Sequence, residues 1–165
     1  MNKSQFTTAP RTEAVHREGS YVMRLSARPD EIFPLLCPVR EYDWIAPWTC
    51  ELLHSLSGAA ERGCVFRTNF HDCGEETWLC TRFEPPRAIE YVRFATIGLI
   101  THLSIALAAD GKGGSNVLWH LGSTATTEAG EKHLAGFSVS RYEQDMAGLE
   151  HMLRHYLETG TTLRT

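Results

Sequence analysis

Tyr42, Trp44 and Trp48 put three large amphipathic rings within seven positions, beside two prolines and the charged Arg40, Glu41 and Asp43. An indole N–H or a phenol O–H can orient a ligand while the ring covers it, so the cluster suits the mouth of a binding cavity. The same rings can plug a small core, which is the commoner use of aromatic side chains. Both uses stay open on the residues alone. Arg40, Glu41 and Asp43 fit a solvated charged turn better than a ligand-binding group.

Eight histidines and five cysteines are the other groups able to do chemistry. They form no H-E-x-x-H and no Cys-x-x-Cys pair. His71-x-Cys73 is the one short spacing that suits two ligands of a metal site, and His54, His102 and His120 fall in strand-like runs. A zinc site needs four converging ligands, which these spacings do not supply, so neither metal nor cofactor is expected. His102 and His120 flank the turn at Asp110 to Ser115. Pairing centred near residues 112 and 113 sets 102 opposite 123 and 120 near 105, and strand parity can place the two rings on different faces. A cavity-facing imidazole would suit a general acid or base; a structural role is the simpler reading of an isolated strand histidine.

Nucleophilic motifs are missing. Gly122-Ser123-Thr124 lacks the G-x-S-x-G elbow, and Gly111 to Gly114 joins two strands instead of opening a helix, so it is a hairpin turn and not a phosphate loop. Cys73, beside Gly74, is the cysteine most open to reaction, while Cys37, Cys64 and Cys80 sit among apolar residues as small core hydrophobes. No catalytic residue is assigned.

These groups must be held by a regular framework, and the periodicities supply one. Tyr21, Met23 and Leu25 alternate with Val22, Arg24 and Ser26 as in a strand. Arg28-Pro29-Asp30-Glu31 opens a helix, and Pro34 and Pro38 break it into two short pieces, about 29 to 37 and 39 to 44. Strand-like runs follow at about 49–57, 63–71, 76–84, 87–95, 99–109 and 115–125, separated by turn residues. Connectors this short leave no room for crossover helices, so the sheet is antiparallel. Tyr142, Met146, Leu149, Leu153 and Tyr156 then step by four, three, four and three along a long amphipathic helix. Ser140 and Glu143 have capping-box spacing at its start, and Gly160 is placed to end it. The expectation is an α+β domain, residues 18–160, between a flexible leader (1–17) and a short tail (161–165).

With 165 residues, 42% hydrophobic and 22% charged, the chain is globular in composition and long enough for one core. A net charge of -4 and a pI near 6.0 argue against nucleic-acid binding. No apolar run reaches membrane-spanning length. The odd cysteine count and the polar N-terminus without a signal-peptide core suggest reduced thiols and a cytoplasmic location. Nothing in the sequence separates a monomer from a homodimer.

The order of elements resembles the helix-grip fold of the START-like superfamily, SRPBCC or Bet v 1-like, and especially its bacterial polyketide cyclase/dehydrase-like proteins. The likeness runs from about Glu18 to Gly160. It is most specific over Cys37-Pro38-Val39-Arg40-Glu41-Tyr42-Asp43-Trp44-Ile45 with Trp48, and is supported by Gly63-Cys64-Val65-Phe66 and His155-Tyr156-Leu157. It implies a curved sheet of about seven strands wrapped around the long C-terminal helix, with two short helices after strand 1. A hydrophobic cavity between sheet and helix would take a small apolar or aromatic molecule, lipid or polyketide-like. Tyr42, Trp44 and Trp48 would stand at its mouth, Phe66, Trp78 and Tyr91 on the sheet wall, and Tyr142 and Met146 on the helix wall, with His102 and His120 as strand candidates. Two other classes share the fold: a cyclase- or hydrolase-type enzyme using a cavity His or Tyr as acid or base, and a co-chaperone-like interaction domain.

Overall fold

The computed structural model describes residues 13–70 and 73–164. Residues 1–12, most of the predicted leader, lie outside the described residues, as does His71 of the His71-x-Cys73 spacing. The first strand, β1 (His16–Leu25), starts two residues inside that leader. It is followed by α1 (Pro29–Ile32) and two 3-10 turns, Phe33–Leu36 and Glu41–Asp43. Proline at the first turn of α1 and at Pro34 breaks this stretch into the short pieces expected of it.

Six strands come next: β2 (Glu51–His54), β3 (Val65–Phe70), β4 (Gly74–Glu84), β5 (Ala88–Ala95), β6 (Leu99–Ala109) and β7 (Ser115–Ala125). They form one antiparallel seven-stranded sheet in the order β1-β7-β6-β5-β4-β3-β2. The register shifts at Leu52/His54 between β2 and β3 and at Cys80/Arg82 between β4 and β5, irregularities of the kind that increase strand twist. The helix α3 (Val139–Thr159) has 21 residues, about 30 Å of length, and buries Tyr142, Met146 and Leu153. Leu149 and Tyr156 are partly buried on the same stripe, so the predicted face is the one turned to the sheet. Gly160 closes the helix with a left-handed φ of 69°, its N–H donating to the Tyr156 carbonyl.

Three expectations need correction. Ser138, not Ser140, caps α3: its side chain accepts from the Arg141 N–H at 3.1 Å. An unforeseen helix, α2 (Glu128–Ala135), precedes it, capped by Thr127 accepting from the Gly130 N–H. Leu134 is its one large buried apolar side chain, too little to show a helical period. The β6–β7 hairpin is also one residue out of the expected register, pairing Thr101 with Ser123 and His102 with Gly122.

With that register, positions of the same parity on β6 and β7 share a face. Leu99, Thr101, Ile105 and Leu107 of β6 and Val117, Trp119 and Ser123 of β7 are buried, so the odd positions form the concave face. Trp78 and Cys80 of β4 and Ile89 and Tyr91 of β5 continue it. Met23, Leu25, Ile32, Leu36, Trp44 and Leu153 complete the core beneath α3 and the short helices.

Candidate ligand-binding site

The concave face is divided along the strands into an apolar half and a polar half. In the apolar half a chamber of about 210 Å³ is walled by Phe66, Trp78, Tyr91, Leu103, Ile105 and Trp119 from the sheet. Leu149 of α3 contributes the opposite wall, and Pro38, Glu41, Ile45 and Trp48 close the end. The rings brace one another. Phe66 stacks on Trp78 with centroids 5.2 Å apart, and Tyr91 meets both edge to face at 5.6 and 5.9 Å. The Tyr91 hydroxyl donates to the Leu36 carbonyl, and the Trp48 indole N–H to that of Pro38.

Two polar groups bear on this chamber. The indole N–H of Trp119 is buried with no hydrogen-bond partner among the described residues. The Glu41 side chain lines the chamber from the second 3-10 turn, and burial lifts its carboxyl to about 8. Its neighbours Arg40 and Asp43 do form the solvated turn read from the sequence, paired at 2.6 Å. Pro38 and Glu41 are three residues apart and Ile45 four further on, the spacing that puts side chains of a tight turn on one face. That spacing was the available signal for Glu41.

The other predicted residues separate. Trp44 is fully buried, its N–H donating to Leu35, and it is part of the core instead of the cavity mouth. Tyr42 is half-exposed and pins the chain by donating to the Cys50 carbonyl and accepting from the Cys50 N–H. Met146 is buried in the core. The corrected register puts His102 and His120 on one face, and the burial of the odd positions makes it the outer one: His102 meets Glu90 at 3.1 Å and His120 meets Ser20 at 2.8 Å. Neither is a cavity acid or base.

The polar half was not foreseen beyond Tyr142. A cross-strand row runs through Thr68 and Glu76, then Arg93, Thr101 and Ser123, all on the concave face. Arg93 reaches the Glu76 carboxylate at 3.2 Å and lies over the Trp78 ring at 4.9 Å. Thr101 and Ser123 share a hydrogen bond at 2.7 Å, and Thr68 accepts from the Trp78 indole. Glu76, Arg93, Thr101 and Ser123 of this row border a second chamber of about 570 Å³, closed by Leu134 of α2, Phe137 and Tyr142. Polar residues on alternating strand positions read as an outward face, which is why this row escaped notice. Cys73 and His133 meet at its edge, 3.5 Å apart.

No family profile and no curated protein sequence matches this chain. Solved structures do. Norcoclaurine synthase of Thalictrum flavum, solved as a point mutant with a transition-state analogue, is 12% identical over 90% of this chain and all of its own length, with a TM-score of 0.66. Ara h 8.0201 is 14% identical over 88% of this chain and 99% of its own, with a TM-score of 0.61. DynU16, a protein of the dynemicin biosynthetic locus, is 16% identical over 87% of this chain, with a TM-score of 0.59. The chain spans 48% of the length of DynU16. At these identities the shared property is architecture, and the chain has the helix-grip fold of the START-like proteins.

Proposed function

We propose that the protein binds a small hydrophobic or aromatic molecule, lipid- or polyketide-like, in the apolar chamber. The supporting observation is the wall itself: aromatic and aliphatic side chains surround about 210 Å³, and of its two ionisable side chains Tyr91 is hydrogen-bonded to Leu36 while Glu41 has no side-chain partner among the described residues. An apolar cavity of about 150 Å³ accepts benzene, so this volume suits a two-ring body. The free Trp119 N–H and the Glu41 carboxyl supply the few polar contacts that orient a ligand in such a site. The solution of norcoclaurine synthase with a transition-state analogue is in keeping with an occupied interior on this fold.

A catalytic reading has one specific support. Glu41, held protonated to about pH 8 in an apolar chamber, has the properties of a general acid, a role the outward-facing histidines cannot fill.

Naphthalene titration followed by tryptophan fluorescence tests the binding reading, since Trp48, Trp78 and Trp119 line the chamber. Saturable quenching is expected in the wild type, and its loss in Leu149→Trp, which fills the chamber from α3. Undiminished binding by that variant, folded by circular dichroism, would overturn the assignment.

A further inference from the structure

The polar chamber at the α2–α3 end is a site in its own right. Its groups are mostly spent on one another: Glu76 with Arg93, and Thr101 with Ser123. Two remain. The Nε–H of Arg93 and the hydroxyl of Tyr142 are buried, and neither has a hydrogen-bond partner among the described residues. Both residues line the chamber, and Tyr142 is only 9% exposed. Burial raises the Tyr142 hydroxyl to about 12 against the lowering effect of the Arg93 charge, so the phenol stays protonated and able to donate.

Tyr142 is placed by the sheet. Its ring lies against Gly19 of β1, where a Cβ would stand 2.6 Å from the ring carbon Cδ1. Glycine at that position lets the ring lie flat on the strand. Phe137 flanks it with centroids 6.2 Å apart. Orphaned buried donors are rare in folded proteins and point to an acceptor from outside the chain.

The charges narrow the class of acceptor. Glu76 and Arg93 already neutralise each other, and Arg141 faces Asp145 at the rim at 3.8 Å. A carboxylate would be a second anion beside Glu76, whereas an uncharged oxygen leaves the balance intact. Leu99, Leu121, Leu134 and Phe137 offer apolar surface for the carbon skeleton.

We propose that this chamber binds the uncharged carbonyl oxygen of an organic ligand, with the Tyr142 hydroxyl and the Arg93 Nε–H as its donors. The site stands independently of whatever occupies the apolar chamber.

The test compares 2-acetylnaphthalene, labelled with ¹³C at the carbonyl, with 2-isopropenylnaphthalene, the same shape without the oxygen, and with 2-naphthoate. Affinities are measured by calorimetry at neutral pH. The ketone should bind about tenfold tighter than the hydrocarbon, the usual worth of one or two neutral hydrogen bonds. Its carbonyl resonance should move downfield on binding. Tyr142→Phe should remove most of that preference and much of the shift while leaving hydrocarbon affinity within about twofold. That variant deletes an unsatisfied hydroxyl, so its thermal midpoint should not fall. Arg93→Lys keeps the charge beside Glu76 and should weaken the ketone alone.

Failure of the ketone to bind at about 1 mM would overturn the proposal. So would equal losses for ketone and hydrocarbon, or 2-naphthoate binding as tightly as the ketone. If the ketone is indifferent to both substitutions but lost in Leu149→Trp, it occupies the apolar chamber; this proposal falls and the earlier one stands.

Discussion

The Trp44 indole has no exposed surface and its N–H is satisfied by the Leu35 carbonyl. Truncation to alanine would therefore leave a large cavity and an unpaired carbonyl, a loss of about 3–5 kcal/mol. Urea unfolding of Trp44→Ala should show that loss, while the naphthalene affinity of the folded fraction stays near wild type. A selective loss of affinity at unchanged stability would put Trp44 in the chamber wall. Trp48, four residues on, does line the chamber, and nothing in the local sequence separates the two rings. They differ only in which neighbours a pair of 3-10 turns brings to them. Glu41 was obscured in another way: Arg40 and Asp43 beside it behave as surface charges, and a one-residue average over a charged turn hides the inward member. His102 and His120 depended on parity, where an error of one residue in register exchanges the faces.

At the scale of elements, most of the architecture was legible. Strands β4 to β7 were read within about two residues of their ends because alternation and turn chemistry agree there. The exceptions have physical reasons. Ser140 has the capping-box spacing to Glu143, whereas Ser138 is followed three residues later by Arg141 and carries no such signature. In the structure Ser138 has the extended backbone of a cap and its side chain takes the Arg141 N–H. Ser138→Ala should cost about 1 kcal/mol in thermal or urea unfolding, whereas Ser140→Ala, inside the helix, should be neutral or stabilise by a few tenths. The reverse order would move the start of α3 by two residues. Helix α2 contains Gly130 and buries little besides Leu134, so neither propensity nor period marked it. Its position bears on the polar chamber, which Leu134 closes.

Across the whole molecule, the carboxyl groups divide by where the fold puts them. Glu150 joins α3 to β1, accepting from the Tyr21 hydroxyl at 2.7 Å, the Arg24 N–H at 3.1 Å and Arg154 at 2.7 Å. Burial tends to raise its pKa, but these donors outweigh it and hold the carboxyl below its usual range. Asp110 is held down by the Lys112 and Gly114 N–H groups in the β6–β7 turn. A carboxylate depressed in the folded state stabilises it above the unfolded pKa and loses that contribution as pH falls. Glu41 and Glu76 face inward and are raised by burial, Glu41 to about 8. In the window between the ordinary value of 4.5 and about 8, the folded state keeps the Glu41 proton that the unfolded chain has released, so stability falls as pH rises. Above that window the slope vanishes. The urea midpoint should therefore peak near pH 5 and decline toward pH 8, instead of holding a plateau over that range. Glu41→Gln should flatten the decline to what Glu76 contributes and leave the acid limb untouched, while Glu150→Gln should weaken the acid limb alone. A wild-type midpoint constant between pH 5 and 8 would mean that water reaches the Glu41 carboxyl freely, and the apolar chamber would then lack the dry interior on which the binding role proposed for it depends.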